Sequence, residues 1–360
     1  MVSIGGEIMD KITLNLSMIG EKNTGLGVYA LNCRRELKKI FKCKEILSNM
    51  NLPDIDIDNT IISPKNITLG YSKWASLNRL IYSKKLALRS DLGFVYTPTQ
   101  HGLIGYKNQV ITIHDLICIH KPEQHKIQYW YFKYILPHII KDCKAVFTVS
   151  NTAKKDICQY YHVSEDFVHV IPNALEDNSI IEDTRDDGYL LVVGAAYEHK
   201  NIHELINNDK YWKDKYKLKI VSAKGSYGDY LKTLVKQRNL EDIVEIKGFV
   251  SDEELSELYR NCSALVYPSL WEGFGIPPLE AMRYQKPVIL SNIDVFKEIF
   301  EEAAIYINIG EPLSWERAFV ELKDINKMRK LKNFELKVLS KYSWIENKKR
   351  LKKVLCEINN

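Results

Sequence analysis

From residue 12 to residue 307, short apolar runs rich in β-branched residues alternate with longer stretches of helical period. That alternation is the mark of parallel α/β layers and leaves few other architectures open. The runs that read as strands are 12–16, 93–96, 110–113, 145–149 and 168–171, then 189–193, 218–222, 244–246, 264–267, 287–290 and 304–307. Helical patterns fall between them, at 28–41, 128–141, 151–161, 228–238, 252–261 and 279–283. Ser251 before Asp252-Glu253-Glu254 reads as a helix cap followed by acids in the first turn. The two series are separated by 173–188, which carries six acids and no period and is expected to be an interdomain linker. A chain of 360 residues is long for one core, so two domains are expected.

Composition bounds the class. With 45% apolar and 27% charged residues the chain is neither disordered nor membrane-spanning, and no window approaches the length of a spanning helix. Met1–Asp10 lacks a basic region followed by an apolar core, so no signal peptide is expected, and Met9 is a candidate internal start. Seven scattered cysteines without a Cys-x-x-Cys pair point to reduced thiols in the cytoplasm and away from a structural zinc site. The net charge of +5 lies wholly in the first 178 residues, which hold 22 basic and 17 acidic side chains. Within it, 71–90 carries Lys73, Arg79, Lys84, Lys85 and Arg89 and no acid. No nucleic-acid motif accompanies this patch, so an anionic membrane surface or a phosphate-bearing acceptor fits better, against the plainer reading of a solvated helix face.

The chemistry concentrates behind the run 264–268, in Ser269-Leu-Trp-Glu272-Gly-Phe274-Gly275-Ile276-Pro-Pro-Leu-Glu280. Two carboxylates eight positions apart straddle a Gly-x-Gly loop, and two prolines open a helix. Proline suits the first helical position, and the unpaired amides there favour an anion. Glycine lets the backbone approach a ligand closely. The pattern reads as a strand, a loop and a helix N-terminus holding a phosphorylated ligand, with Glu280 placed for ribose hydroxyls and Glu272 for what lies beyond the phosphates.

Other strand ends add to it. Gly194 closes a strand ahead of His199-Lys200-Asn201, where a lysine is placed to neutralise a diphosphate. Gly248-Phe249 ends another strand, and its backbone is a candidate wall for a flat nucleobase. His114-Asp115 stands at the mouth of the strand 110–113. The loop from Gly20 through Gly25 and Gly27 to Tyr29 joins the first strand to the first helix but is no dinucleotide fingerprint. Asp54-Ile-Asp56-Ile-Asp58 fails as a calcium loop, with Asn59 and Lys65 where glycine and glutamate belong, and reads as solvated. The aromatic run 129–134 is expected to pack in the core with one exposed edge.

Taken together these residues resemble the family-4 glycosyltransferases of the GT-B superfamily over nearly the whole chain. The resemblance rests on the Glu272-x7-Glu280 signature, Gly25-Leu-Gly27-Val-Tyr29, His114-Asp115-Leu116, Thr148-Val-Ser150, Val170-Ile-Pro172-Asn173, Lys200-Asn201, Pro287-Val-Ile289 and Tyr342-Ser-Trp344. It implies two Rossmann-like domains facing across a cleft: an acceptor-side domain at 1–175, a donor domain at 176–340, and a closing segment 341–360 crossing back to the first. It also implies a metal-independent, retaining transfer from a nucleotide-diphosphate sugar, with no cofactor. By position, Glu280 would hold the ribose and Glu272 the transferred sugar, with His114 near the anomeric centre. Lys200 and the amides of Phe274 to Ile276 would meet the diphosphate or sugar hydroxyls, and Gly25 and Gly27 would approach from the other side. An arginine common in relatives is replaced by Ala195 and His199, so phosphate neutralisation leans on Lys200. A hexosyl transfer, mannose favoured, to a polysaccharide or lipid-linked glycan in the cytoplasm or at the inner membrane face is the expectation. A sugar phosphorylase, a nucleotide-sugar epimerase and an inactive sugar-binding subunit are its rivals.

Overall fold

The structure, a computed structural model, describes residues 11–20, 25–67 and 72–359; Met9, Glu21 to Thr24 of the glycine loop and Tyr71 of the basic run lie outside the described residues. The chain forms two compact units, one from the residues up to Glu176 together with Trp344 onward, the other from Asp177–Ser343. The first holds seven strands, β1 (Lys11–Leu16), β2 (Lys42–Leu47), β3 (Thr60–Ile62), β4 (Val95–Thr97), β5 (Gln109–Thr112), β6 (Ala145–Thr148) and β7 (Val168–Val170), in the order β3-β2-β1-β4-β5-β6-β7. All its pairings are parallel. Central strands buried on both faces read as continuous apolar runs, which is why β4, β5 and β6 were legible. Strand β2, and β3 at the edge of the sheet, were not expected from the sequence. Lys42, Lys44 and Glu45 interrupt the apolar pattern of β2, yet Glu45 is buried and accepts from Arg34 Nε at 2.5 Å and Nη2 at 3.1 Å. The counter-charge comes from a neighbouring helix, Gly25–Lys38.

The second unit has six strands: β8 (Tyr189–Val193), β9 (Lys217–Val221), β10 (Val244–Ile246), β11 (Ala264–Tyr267), β12 (Val288–Ser291) and β13 (Ile305–Ile307). Their order, β10-β9-β8-β11-β12-β13, repeats the doubly wound pattern of the first sheet, and again every pairing is parallel. In each unit the order reverses beside its first strand, between β1 and β4 and between β8 and β11. Ligands of such sheets gather outside the carboxyl ends of the strands at that reversal. Two doubly wound, parallel α/β units, as expected from the sequence, are therefore observed.

The stretch expected to be a linker is, from Asp177 onward, fastened to the second unit. Arg283 donates to Asp177 at 2.5 Å and Arg260 to Asp183 at 2.9 Å, while the amides of Ile181 and Asp187 donate to the carbonyls of Arg283 and Asn261. Asp177 and Asp183 thus fasten the stretch to the second unit through their side chains. The closing helix Trp344–Asn359 packs in the first unit, where Trp344 Nε1 donates to Ala174 O at 3.0 Å and Asn347 Nδ2 to Pro172 O at 2.6 Å.

One buried acid is a stability liability. Glu335, on helix Ile325–Lys341, has its carboxyl pushed up to about 8 by burial, with Lys332 acting the other way. Such an acid favours the folded state only while protonated, so its contribution is full below the ordinary value of 4.5 and is lost as pH rises toward 8. Glu335→Gln is expected to stabilise by on the order of 3 kcal/mol at neutral pH and by nothing near the ordinary carboxyl value. Urea midpoints at the two pH values check both the size and the sign.

Candidate active site

At the reversal point of the second sheet, the loops after β8 and β11 each deliver a charge. Lys200 ends a short turn after β8, and Asn201 behind it adopts a left-handed backbone (φ 55°) with its amide bonded to Glu204. The Lys200 ammonium donates to Glu272 Oε1 at 2.5 Å and to the Tyr267 hydroxyl at 3.0 Å. Both charged side chains are mostly buried. Burial opposes the charge on Lys200, but Glu272 and Tyr267 outweigh it and hold the ammonium above its ordinary range. Glu272 is the mirror case: burial works against it, and Lys200 keeps it below the usual carboxylate range. The pair is thus fully ionised, with a charge-assisted hydrogen bond bridging the two loops.

The loop that follows turns on Gly275, whose φ of 107° is strained for any other residue. Helix Ile276–Arg283 begins one residue ahead of Pro277, three residues earlier than the sequence reading placed it. Since Pro277 and Pro278 lack N–H groups, Ile276 carries the one amide of the first three helical positions, which leaves Phe274 to Ile276 as the candidate anion donors of the loop and helix start. Phe274 has only its backbone to offer a ligand, its ring being buried edge-on against Tyr342 at 5.2 Å. Glu280, in the same helix, accepts from the buried Tyr259 hydroxyl at 2.6 Å, and Tyr259 stacks on Tyr284 at 5.7 Å. Burial raises the Glu280 carboxyl, and the Tyr259 hydroxyl partly offsets that.

The remaining expected donor residues lie at the ends of neighbouring strands. Gly194 follows β8 with φ 92°. His199 is buried, stacks on Tyr197 at 5.6 Å, and is near enough to Glu272 to favour its charge. Ala195 is fully buried and presents no group to a ligand. Gly248 accepts from the Ser222 amide, and Phe249 beside it is 86% exposed, leaving its ring as a bare stacking face on the surface.

In the first unit His114 stands after β5, buried, its Nε2 donating to Pro98 O at 3.2 Å. A carbonyl only accepts, so Nε2 carries the proton and Nδ1 is a bare acceptor. Burial lowers the ring to about 4, which keeps it neutral across the physiological range. Tyr29 meets His114 edge-on at 4.7 Å and is itself backed by Trp344 at 5.6 Å, so the closing helix buttresses this histidine. Gly25 and Gly27 fall in the first turn of helix Gly25–Lys38 rather than in the loop before it. The basic patch divides. Arg89 is paired to Asp91 at 2.8 Å, and Arg79 turns inward and donates to Ile67 O at 2.6 Å. Lys73, Lys84 and Lys85 are exposed.

The comparisons with known proteins bear on this arrangement. The family model described as "Glycosyl transferases group 1" matches residues 176–333, and "Glycosyltransferase Family 4" matches 54–178. The O-antigen chain mannosyltransferase RfbU of Salmonella typhimurium is 36% identical over 321 residues, covering 87% of this chain and 91% of that protein. This chain belongs to the group 1 glycosyltransferases. The O-antigen chain mannosyltransferase B of Escherichia coli is 28% identical over 63% of this glycosyltransferase and 65% of its own length. Among solved structures, sucrose-phosphate synthase from Thermosynechococcus elongatus superposes with a TM-score of 0.74 at 16% identity, covering 96% of this chain and 98% of that one. Anabaena Alr3699/HepE, solved with UDP and glucose, gives 0.72 at 16% identity over 96% and 99%. At such identities the likeness is one of fold.

Two residues of this glycosyltransferase's candidate site escaped the sequence reading, Tyr267 and Tyr259. Both are buried and spend their hydroxyls on a charged neighbour. The one signal for Tyr267 was a phenol closing an otherwise apolar strand. Tyr259→Phe leaves the ring stack in place and removes the bond to Glu280. The expected result is about a tenfold rise in donor KM with kcat within about twofold, since a hydrogen bond to a charged group contributes about 1.5–3 kcal/mol. Steady-state kinetics with varied donor test the split, and an unchanged KM would remove Tyr259 from this role.

Proposed function

We propose that this glycosyltransferase moves mannose, with retention of configuration, from a nucleotide-diphosphate donor to a lipid-linked glycan of the O-antigen kind at the inner face of the membrane. The observation that carries the reading is the buried Lys200–Glu272 pair at the reversal point of the second sheet, one loop from the amides of Phe274 to Ile276 and from Glu280. Two of the relatives named above are mannosyltransferases of O-antigen chains, which supports the sugar and the acceptor class.

In this reading Glu280 accepts two ribose hydroxyls and Phe249 backs the base. Lys200 and the amides of Phe274 to Ile276 receive the diphosphate, and Glu272 binds the sugar. As the sugar–phosphate bond breaks, negative charge grows on the departing phosphate, and donors already aimed there supply most of the stabilisation. Lys200 supplies its share without a protonation step, because it is already an ammonium. His114 of the first unit is neutral, with Nε2 protonated, so Nδ1 is the atom through which it would accept from a hydroxyl. The departing phosphate takes the acceptor's proton on the front face, so no second carboxylate pair is needed, and no divalent cation is required. Among the described residues no helix is long and apolar enough to cross a membrane.

The test is a donor panel in the presence of EDTA. Thermal shift is measured against UDP, GDP, ADP and their sugars, followed by turnover of the binding donors onto a mannose-terminated lipid-linked acceptor. A ligand that binds only the folded state raises the midpoint. Turnover with a mannose donor and an α-linked product are expected. Transfer of another sugar, an inverted product or nucleotide binding with no turnover would each refute the corresponding part.

A further inference from the structure

We propose that the first unit docks on an anionic lipid bilayer through two outward-facing, tryptophan-bearing stripes. The proposal rests on the lipid-linked acceptor just inferred and names the surface that brings the enzyme to it. Helix Ala75–Ala87 is apolar on two sides. Its inner side packs through Ala75 and Leu86, both buried. A surface helix normally presents polar residues on its other side. Here Trp74 (70% exposed), Leu77 (50%), Ile81 (58%) and Leu88 (87%) project instead, at spacings that place them on one arc with Lys84 and Lys85.

A second stripe repeats the pattern. Helix Lys126–Trp130 runs through a π-helical turn at Tyr131–Ile135 into Leu136–Asp142. Phe132, Leu136 and Ile139 face the core, while Ile127 (72% exposed), Trp130 (61%) and Tyr134 (46%) face outward at spacings of three and four. Trp130 stacks on Tyr134 at 4.8 Å, and Lys133 donates to the Tyr129 hydroxyl at 2.8 Å. The expectation of core packing with one exposed edge thus holds, and the edge is this stripe. The two segments border one hollow, to which the first contributes Arg79, Tyr82 and Ser83 and the second Tyr131.

Charge selects the occupant. Neither 72–90 nor 124–141 contains a single Asp or Glu, whereas both contain lysines beside the exposed rings. The cores of protein interfaces are depleted of lysine. A bilayer surface favours this combination: tryptophan and tyrosine settle at the headgroup level, aliphatic side chains reach the acyl boundary, and lysine stems extend their ammonium groups to anionic phosphates. Each lysine near such a surface contributes enough to change partitioning about fivefold.

The experiment is flotation of the full chain with vesicles of phosphatidylcholine, with or without phosphatidylglycerol. Alongside the wild type run Trp74→Ser/Ile81→Ser, Ile127→Ser/Trp130→Ser and Lys84→Gln/Lys85→Gln. The wild type is expected to float with the anionic vesicles alone, with a blue shift of tryptophan emission. The lysine pair should weaken partitioning about thirtyfold, and either serine pair should abolish the blue shift of its own tryptophan and most of the binding. Turnover of a soluble acceptor, measured on the same preparations, should be unchanged, so loss of docking is separated from loss of the proposed reaction. Absence of vesicle binding by the wild type, variants that float as well as it does, or a concentration-dependent dimer abolished by the serine pairs would each overturn the proposal.

Discussion

Lys200→Met is expected to lower kcat/KM by about a thousandfold or more, the scale for removing a preorganised donor from a developing negative charge. It should also destabilise the second unit, because Glu272 is left as a buried charge without its partner. Breaking one half of a buried pair costs about 3–5 kcal/mol, whereas removing both halves is often close to neutral. Lys200→Met/Glu272→Gln should therefore recover most of the lost stability and none of the activity. Thermal melts and donor turnover on the two single variants and the double form the cycle. If the double variant regained activity, the pair would be merely structural. If Lys200→Met kept turnover within tenfold of wild type, the diphosphate would have another cation.

Gly275→Ala is expected to damage both stability and turnover. The added Cβ would stand 3.0 Å from Phe296 Cε1 and 3.5 Å from Phe300 Cε2, on a backbone with φ 107°. Strain of that kind costs about 1–3 kcal/mol before any side chain moves. The consequence reaches the chemistry through contacts already described. Phe296 packs against Tyr267 with ring centroids 5.8 Å apart, and Tyr267 accepts from Lys200. Displacing Phe296 shifts the phenol that fixes the ammonium. A fall of about a hundredfold in turnover is expected, since small misplacement of a positioned group has that scale of effect. Gly25→Ala is the control, because nothing lies within 4 Å of its added Cβ and its φ is unremarkable. It should melt at or above the wild-type temperature. Equal melting temperatures for Gly275→Ala and wild type would show that the loop relaxes freely and that the argument fails.

The parallel α/β class and the two series of strands were legible because buried central strands must be apolar along their whole length, as β8 and β11 are. The candidate site's charged members were legible for a related reason. Lys200, Glu272 and Glu280 follow strands whose carboxyl ends can be counted, and the reversal points in both sheets lie where those ends fall. Strand β2 was hidden because Glu45 reads as a surface residue until Arg34 is brought beside it.

Local pattern by itself determined most of the strands and the Gly-x-Gly loop that follows β11, while β2, β3 and the left-handed backbone at Gly275 came from the structure. Only the folded chain decided which side chains meet. Tyr259 and Glu280 are 21 residues apart, Lys200 and Glu272 72, and Trp344 and Ala174 170. Periodicity reports how a residue faces its own element. Which partner neutralises a buried charge, and which apolar face remains uncovered, depends on packing between elements distant in the chain.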